Sequence, residues 1–164
     1  MPEQIVLGID PGISGAYAFY WPNRDMVAVE DAPIIDGNID AANMASAIDI
    51  MHPSVAIIER VSAMPKQGVS STFKFGVAYG VVQGIVAAHQ IPIHFVTPTT
   101  WKKHFNLSPD KEQSRARAIH LWPRQAEMFK RKKDHGRAEA ALLARYYAEK
   151  FIRAVNLKAG LTAA

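Results

Sequence analysis

Cysteine is absent from the 164 residues, which removes thiolate nucleophiles, disulfide staples and cysteine-type zinc sites. A chain of this length buries roughly 70% of the surface its unfolded form exposes and needs no staple. The absence also fits a reducing compartment. Long apolar runs are missing too: nothing approaches the ~20 residues of a membrane span, and the nearest stretch, residues 75–89, is short and carries Gln83. The opening MPEQIVLGID lacks the basic start of a signal peptide and runs straight into a strand pattern. No Walker A loop, HExxH helix or Ser-His-Asp spacing occurs. Repeats and low-complexity tracts are missing as well. These absences predict a soluble intracellular protein with no membrane partner. Its residues 1–164 form a single domain, with about 155–164 as a flexible tail.

What is present is a divided charge. Residues 1–100 hold 4 Lys/Arg against 9 Asp/Glu, whereas residues 101–133 hold 10 against 3, within a net charge of +4. A basic block in an otherwise acidic chain is an electrostatic footprint for a polyanion, although a solvated lysine-rich face gives the same count.

Hydrophobic patterning orders the elements. Residues 5–9 form an apolar, β-branched run closed by Asp10-Pro11-Gly12, a strand and turn. Residues 15–21 read as a second strand and 26–29 as a third, an antiparallel meander. A helix is predicted over 40–51, where Ala41, Met44, Ile48 and Met51 share a face and Asn38 or Asp40 supplies the cap. A buried strand over 54–58 ends in Glu59, and 63–71 reads as a mobile loop. Helix 75–89 carries Gly76, Gly80 and Gly84 on one face. Each costs about 1 kcal/mol relative to Ala, so a backbone packing closely there is expected. The nearer expectation is the protein's own sheet; the alternative is a second subunit. Strand 91–96 follows, then a turn over 98–105 that leads into a basic helix start, helix 111–121 stopped by Trp122-Pro123, a polar and basic stretch of short helix and loop over 124–133, and a long helix over 137–154. The order β-β-β-α-β-α-β-α-α predicts an α/β domain: a mixed five-stranded sheet flanked by helices.

Acids stand where such a sheet opens to solvent. Asp10 follows Ile5-Val6-Leu7-Gly8-Ile9, and Glu59 follows Val55-Ala56-Ile57-Ile58. Strand carboxyl ends are where α/β sheets place ligands, although a lone acid there is also an ordinary turn residue. Two on adjacent strands repel unless a cation neutralises them. The last helix opens on Lys133-Asp134-His135-Gly136-Arg137-Ala138-Glu139-Ala140. Asp134 or His135 lies at its cap, and Glu139 about a turn later on the face toward the sheet. Capping alone accounts for acids at a helix start; His135 can cap, ligate or relay protons. Such hard oxygen donors suit Mg²⁺ or Mn²⁺ rather than zinc.

Gly8-Ile9-Asp10-Pro11-Gly12 resembles the first motif of the RuvC-type Holliday junction resolvases, members of the RNase H-like superfamily. Ile57-Ile58-Glu59 resembles their second motif and residues 133–140 their last. The resemblance covers about residues 5–150. It looks closer to the phage-like and organellar branch than to the common bacterial one, which places two Asp three residues apart in the last motif. Here position 136 is Gly, and the acids Asp134 and Glu139 are five apart, so the fourth ligand is either Asp134 or His135. The resemblance implies an RNase H-like fold and a homodimer that binds four-way junction DNA. Each subunit would nick one strand with Mg²⁺, or Mn²⁺ in its place, two ions per site, leaving 5′-phosphates. The expected metal ligands are Asp10, Glu59, Asp134 and Glu139, with His135 as a further catalytic residue.

Charge and position nominate Lys66, Lys74, Lys102, Lys103, Lys130, Arg131, Lys132 and Lys133 for phosphates, and Phe73 for stacking on opened bases. The rival readings are a nuclease of the same fold acting on flap DNA or RNA–DNA hybrid, and a non-catalytic junction-binding protein. A sugar-kinase or actin-like ATPase closes two domains around its nucleotide, for which 164 residues are too few.

Overall fold

Strands β1 (Val6–Asp10), β2 (Ala16–Trp21) and β3 (Met26–Asp31) pair as the expected antiparallel meander, with Asp10 opposite Ala16. The computed structural model describes residues 3–153. A small ribbon of β4 (Ile34–Ile35) and β5 (Asn38–Ile39) leads to α1 (Ala41–Met51). The Asp40 side chain caps that helix by accepting from the Asn43 N–H at 3.1 Å. β6 (Val55–Glu59) then lies parallel to β1, α2 (Val69–Ala88) crosses over, and β7 (Ile93–Val96) lies parallel to β6. The five-stranded sheet has the order β3-β2-β1-β6-β7. After it come α3 (Pro98–His104), α4 (Lys111–Leu121), two 3-10 turns (Pro123–Phe129 and Lys132–Asp134) and α5 (His135–Tyr147), which runs out in a π-helical turn, Ala148–Ile152.

Period-two alternation along the strands divides the core into two layers. Val6, Ala18, Tyr20, Val55 and Ile57 face α5, α3 and α4, meeting Leu142, Leu143, Trp101 and Phe129. Leu7, Ile9, Phe19, Ala56 and Ile58 face α1 and α2, meeting Met44, Ile48, Val82 and Val86. The same parity puts Asp10 and Glu59 on the α5 side.

α5 lies directly on β1. A Cβ at Gly8 would overlap the Ala140 carbonyl oxygen and come within 2.8 Å of the Ala144 nitrogen. One turn earlier, a Cβ at Gly136 would stand 3.2 Å from Asp10 Oδ2. Small residues at 136, 140 and 144 therefore let the helix run along the strand with its start over Asp10.

Several expectations need correction. α2 begins at Val69, so part of the anticipated 63–71 loop is helix. Its glycines do not pack on the sheet: a Cβ at Gly76, Gly80 or Gly84 meets nothing within 4 Å. The sheet-facing side is instead Ala78, Val82, Ile85 and Val86. The helix expected to start within residues 98–105 begins already at Pro98 and runs to His104, with Thr97 as its cap and no separate turn before it. The expected tail at 155–164 lies outside the described residues. No described helix is long and apolar enough to cross a membrane.

Candidate active site

Parallel pairing of β1 and β6 sets Ile9 beside Ile58, so Asp10 and Glu59 follow side by side at the carboxyl edge of the sheet, about 4.8 Å apart strand to strand. α5 brings Glu139 to the same place. All three acids line one open cleft of about 600 Å³, together with His135, Lys74, Lys102 and Lys111. Glu59 and Glu139 are buried, 9% and 6% exposed.

Burial pushes the Asp10 carboxyl well above its ordinary range, and the charges of Glu139 and Glu59 push it further; Lys111 and Lys102 pull the other way. Glu59 is raised by burial and by Glu139, against the opposing pull of a hydrogen bond from Trp101 and the charge of Lys102. The acids thus meet at a cost that a cation relieves. Lys102 supplies part of that charge, its Nζ lying 3.1 Å from Glu139 Oε1. The buried Ser114 hydroxyl donates to the same oxygen at 3.4 Å.

Asp134 is not among these acids, contrary to the sequence expectation. It is 1% exposed and does not line the cleft. Its carboxylate turns back to Arg131, accepting from the backbone N–H at 2.8 Å, from Nη2 at 2.7 Å and from Nε at 3.0 Å. Burial alone would raise its pKa, but these bonds outweigh burial and lower it. It closes the 3-10 turn that leads into α5. His135 lines the cleft in its stead, and its Nδ1 is buried without a hydrogen-bond partner.

The nominated basic residues separate into groups. Lys74 lines the cleft; Lys66 and Phe73 are exposed in the segment that enters and begins α2. Lys102 turns inward onto Glu139, whereas Lys103 is exposed. Lys130 pairs with Glu127, Arg131 with Asp134, and Lys132 and Lys133 are exposed; none of these four lines the cleft.

Three neighbours of the acids were not singled out from sequence: Trp101, Lys111 and Ser114. Lys111 carried a signal, since a cation at the first position of a helix opposes the macrodipole and needs another reason to be there. Ser114 sits inside a helix, where serine is a weak former. The Trp101 ring is part of the core.

The donor set fits a hard divalent cation. It consists of carboxylates that repel one another until a cation neutralises them, the oxygen ligands that Mg²⁺ and Mn²⁺ prefer. Among the described residues, no three His, Asp or Glu side chains already close into a metal cage. Mg²⁺ does not require one, because it keeps several waters and takes oxygens from substrate phosphate.

No protein-family model and no curated protein matches the sequence. Solved structures do match the fold. RuvC of Thermus thermophilus in complex with Holliday junction substrate superposes with a TM-score of 0.62 at 16% identity, covering 90% of this chain and 97% of that one. A second Thermus thermophilus RuvC structure gives 0.61 at 15% identity, covering 89% and 96%. The yeast mitochondrial Holliday junction resolvase Ydc2 gives 0.53 at 19% identity, covering 89% and 79%. The chain therefore has the fold of the RuvC-type resolvases over nearly its whole described length.

Proposed function

We propose that this protein is a structure-specific endonuclease that resolves four-way DNA junctions by divalent-metal-dependent phosphodiester hydrolysis. The observation that carries the reading is the convergence of Asp10, Glu59 and Glu139, from three separate elements, in one cleft at the sheet's carboxyl edge. The fold shared with a RuvC bound to a Holliday junction supports a four-way junction as the substrate.

Asp10, Glu59 and Glu139, with His135, would hold Mg²⁺ or Mn²⁺, two ions per site. Such a cation would supply positive charge at the scissile phosphate and lower the pKa of a bound water. Lys102 and Lys111 hold the acid cluster together and present positive charge to the incoming phosphate. Lys74 stands on the cleft wall for a neighbouring phosphate, and the exposed Phe73 ring is placed to stack on a base opened at the crossover. A homodimer matches the two-fold symmetry of a junction. The uncovered face of α2 that carries its glycines and the exposed Val77 is the surface we assign to that contact. Paired incisions would leave 5′-phosphates.

The test is cleavage of junction, linear duplex, flap and RNA–DNA hybrid side by side with Mg²⁺. Junction is expected to be cut at least about tenfold faster than the others, a difference of only ~1.4 kcal/mol in the barrier. Equal cutting of all four would remove the resolvase assignment, and no cutting of any would favour a binding protein.

Phosphate contacts also make a prediction for binding. Lys74→Ala and Lys103→Ala are each expected to weaken junction binding and to reduce the slope of log affinity against log salt by about 1. A titration over several salt concentrations reads this, and unchanged slopes would remove these lysines from the DNA surface.

A further inference from the structure

One turn of α3 touches two of the three clustered acids. Trp101, fully buried, donates its indole N–H to Glu59 Oε2 at 2.6 Å. The next residue, Lys102, reaches Glu139 Oε1 at 3.1 Å, and its ammonium lies 5.3 Å from the centre of the Trp101 ring. Glu59, Trp101, Lys102 and Glu139 thus form one continuous chain of contacts across the cleft wall.

The local sequence explains why the indole arrives there. β7 pairs in parallel with β6, setting Val96 opposite Glu59. Thr97 then caps α3, with its Oγ1 accepting from the Thr100 N–H at 3.3 Å. Trp101 follows one turn later, back above the strand end that carries Glu59. Burial alone does not force the bond, because the Trp122 Nε1 is buried with no hydrogen-bond partner.

A carboxylate free to rotate offers either oxygen to a ligand. A donor on one oxygen fixes the plane of the group and leaves the other oxygen to point in one direction. Groups that orient metal-binding side chains in this way typically contribute 10–100-fold to metal affinity or activity.

We propose that Trp101 is a positioning residue: its indole N–H holds Oε2 of Glu59 so that Oε1 is the oxygen presented to the metal. The inference rests on the reading of Asp10, Glu59 and Glu139 as a metal site. It does not depend on the identity of the nucleic acid.

The test counts free Mn²⁺ by electron paramagnetic resonance in the presence of the full-length protein, with no DNA and no turnover. Two variants are compared with the wild type. Trp101→Phe removes the N–H and part of the ring. Benzothienylalanine at position 101 keeps the two-ring shape and replaces the N–H with sulfur. Both are expected to raise the Mn²⁺ Kd by about tenfold or more. The isosteric residue decides the matter if Trp101→Phe fails to fold, since a purely packing role would leave its Mn²⁺ affinity at the wild-type value. That unchanged value, alongside lost binding in Asp10→Asn, would overturn the inference while leaving the metal site in place. Wild-type Mn²⁺ affinity in Asp10→Asn would overturn the metal site itself, and the inference with it.

Discussion

Asp10→Asn is expected to lower Mg²⁺-dependent junction cleavage by about 10³-fold or more while leaving junction affinity within a few-fold of wild type. The amide keeps the size of the carboxylate but removes the charge that a hard cation seeks. Asp10 stands between Glu59 and Glu139 in the electrostatics of the cleft, so its loss dismantles the donor set rather than trimming its edge. Binding is expected to survive, because the proposed phosphate contacts are lysines such as Lys74 and Lys103. A gel-shift titration in Ca²⁺ and a cleavage time course in Mg²⁺ separate the two effects. Full cleavage by the variant would place the chemistry elsewhere.

The same substitution should stabilise the metal-free protein, and the sign follows from the direction of the pKa shift. The folded-state pKa of Asp10 is raised, so the folded protein holds a proton that the unfolded chain releases above about pH 3.9. Stability is therefore lost as pH rises from there through the raised value. Asparagine has no proton to lose. At pH 7 to 8 without metal, Asp10→Asn should therefore melt at a higher temperature than the wild type. The difference should close near pH 4. Added Mg²⁺ should raise the melting temperature of the wild type and not of the variant.

Gly8→Ala is the second large effect, and it acts on the fold. The added methyl would overlap the Ala140 carbonyl oxygen and press on the Ala144 nitrogen. Both are helix backbone atoms, and neither can rotate away as a side-chain end can. Relief requires α5 to lift off β1, which would draw Glu139 and Gly136 away from Asp10. Overpacking usually costs about 1–3 kcal/mol, and a backbone obstacle belongs at the upper end. A fall of about 6 °C or more in melting temperature is expected, together with lost Mg²⁺ stabilisation. A melting curve unchanged from wild type would mean that the close approach of α5 to β1 is not tight.

Some of this was legible from the chain and some was not, for physical reasons. The positions of Asp10 and Glu59 were legible because each directly closes a buried apolar strand, where an α/β sheet opens to solvent. Adjacent parallel strands then put them together. Glu139 followed from helical spacing, about a turn into the last helix on the face toward the sheet. Asp134 did not, because a carboxylate at a helix start has two satisfactory fates, and Arg131 three residues earlier decides between them. Lys102 and Lys103 were equivalent in a charge count, yet helix rotation sends one into the cleft and the other to solvent. Trp101 was hidden by its own hydrophobicity, since a pattern of apolar residues does not register an N–H. The glycines of α2 suggested close packing on the sheet, and the structure places them on the opposite, open side of the helix. Their face is uncovered in the monomer.

The most direct measurement is anomalous diffraction from crystals of the protein soaked in Mn²⁺. The predicted result is a metal peak bounded by carboxylate oxygens of Asp10, Glu59 and Glu139, with Asp134 still bonded to Arg131. Metal bound only at Asp134, or only at scattered surface acids while the cleft stays empty, would contradict the account.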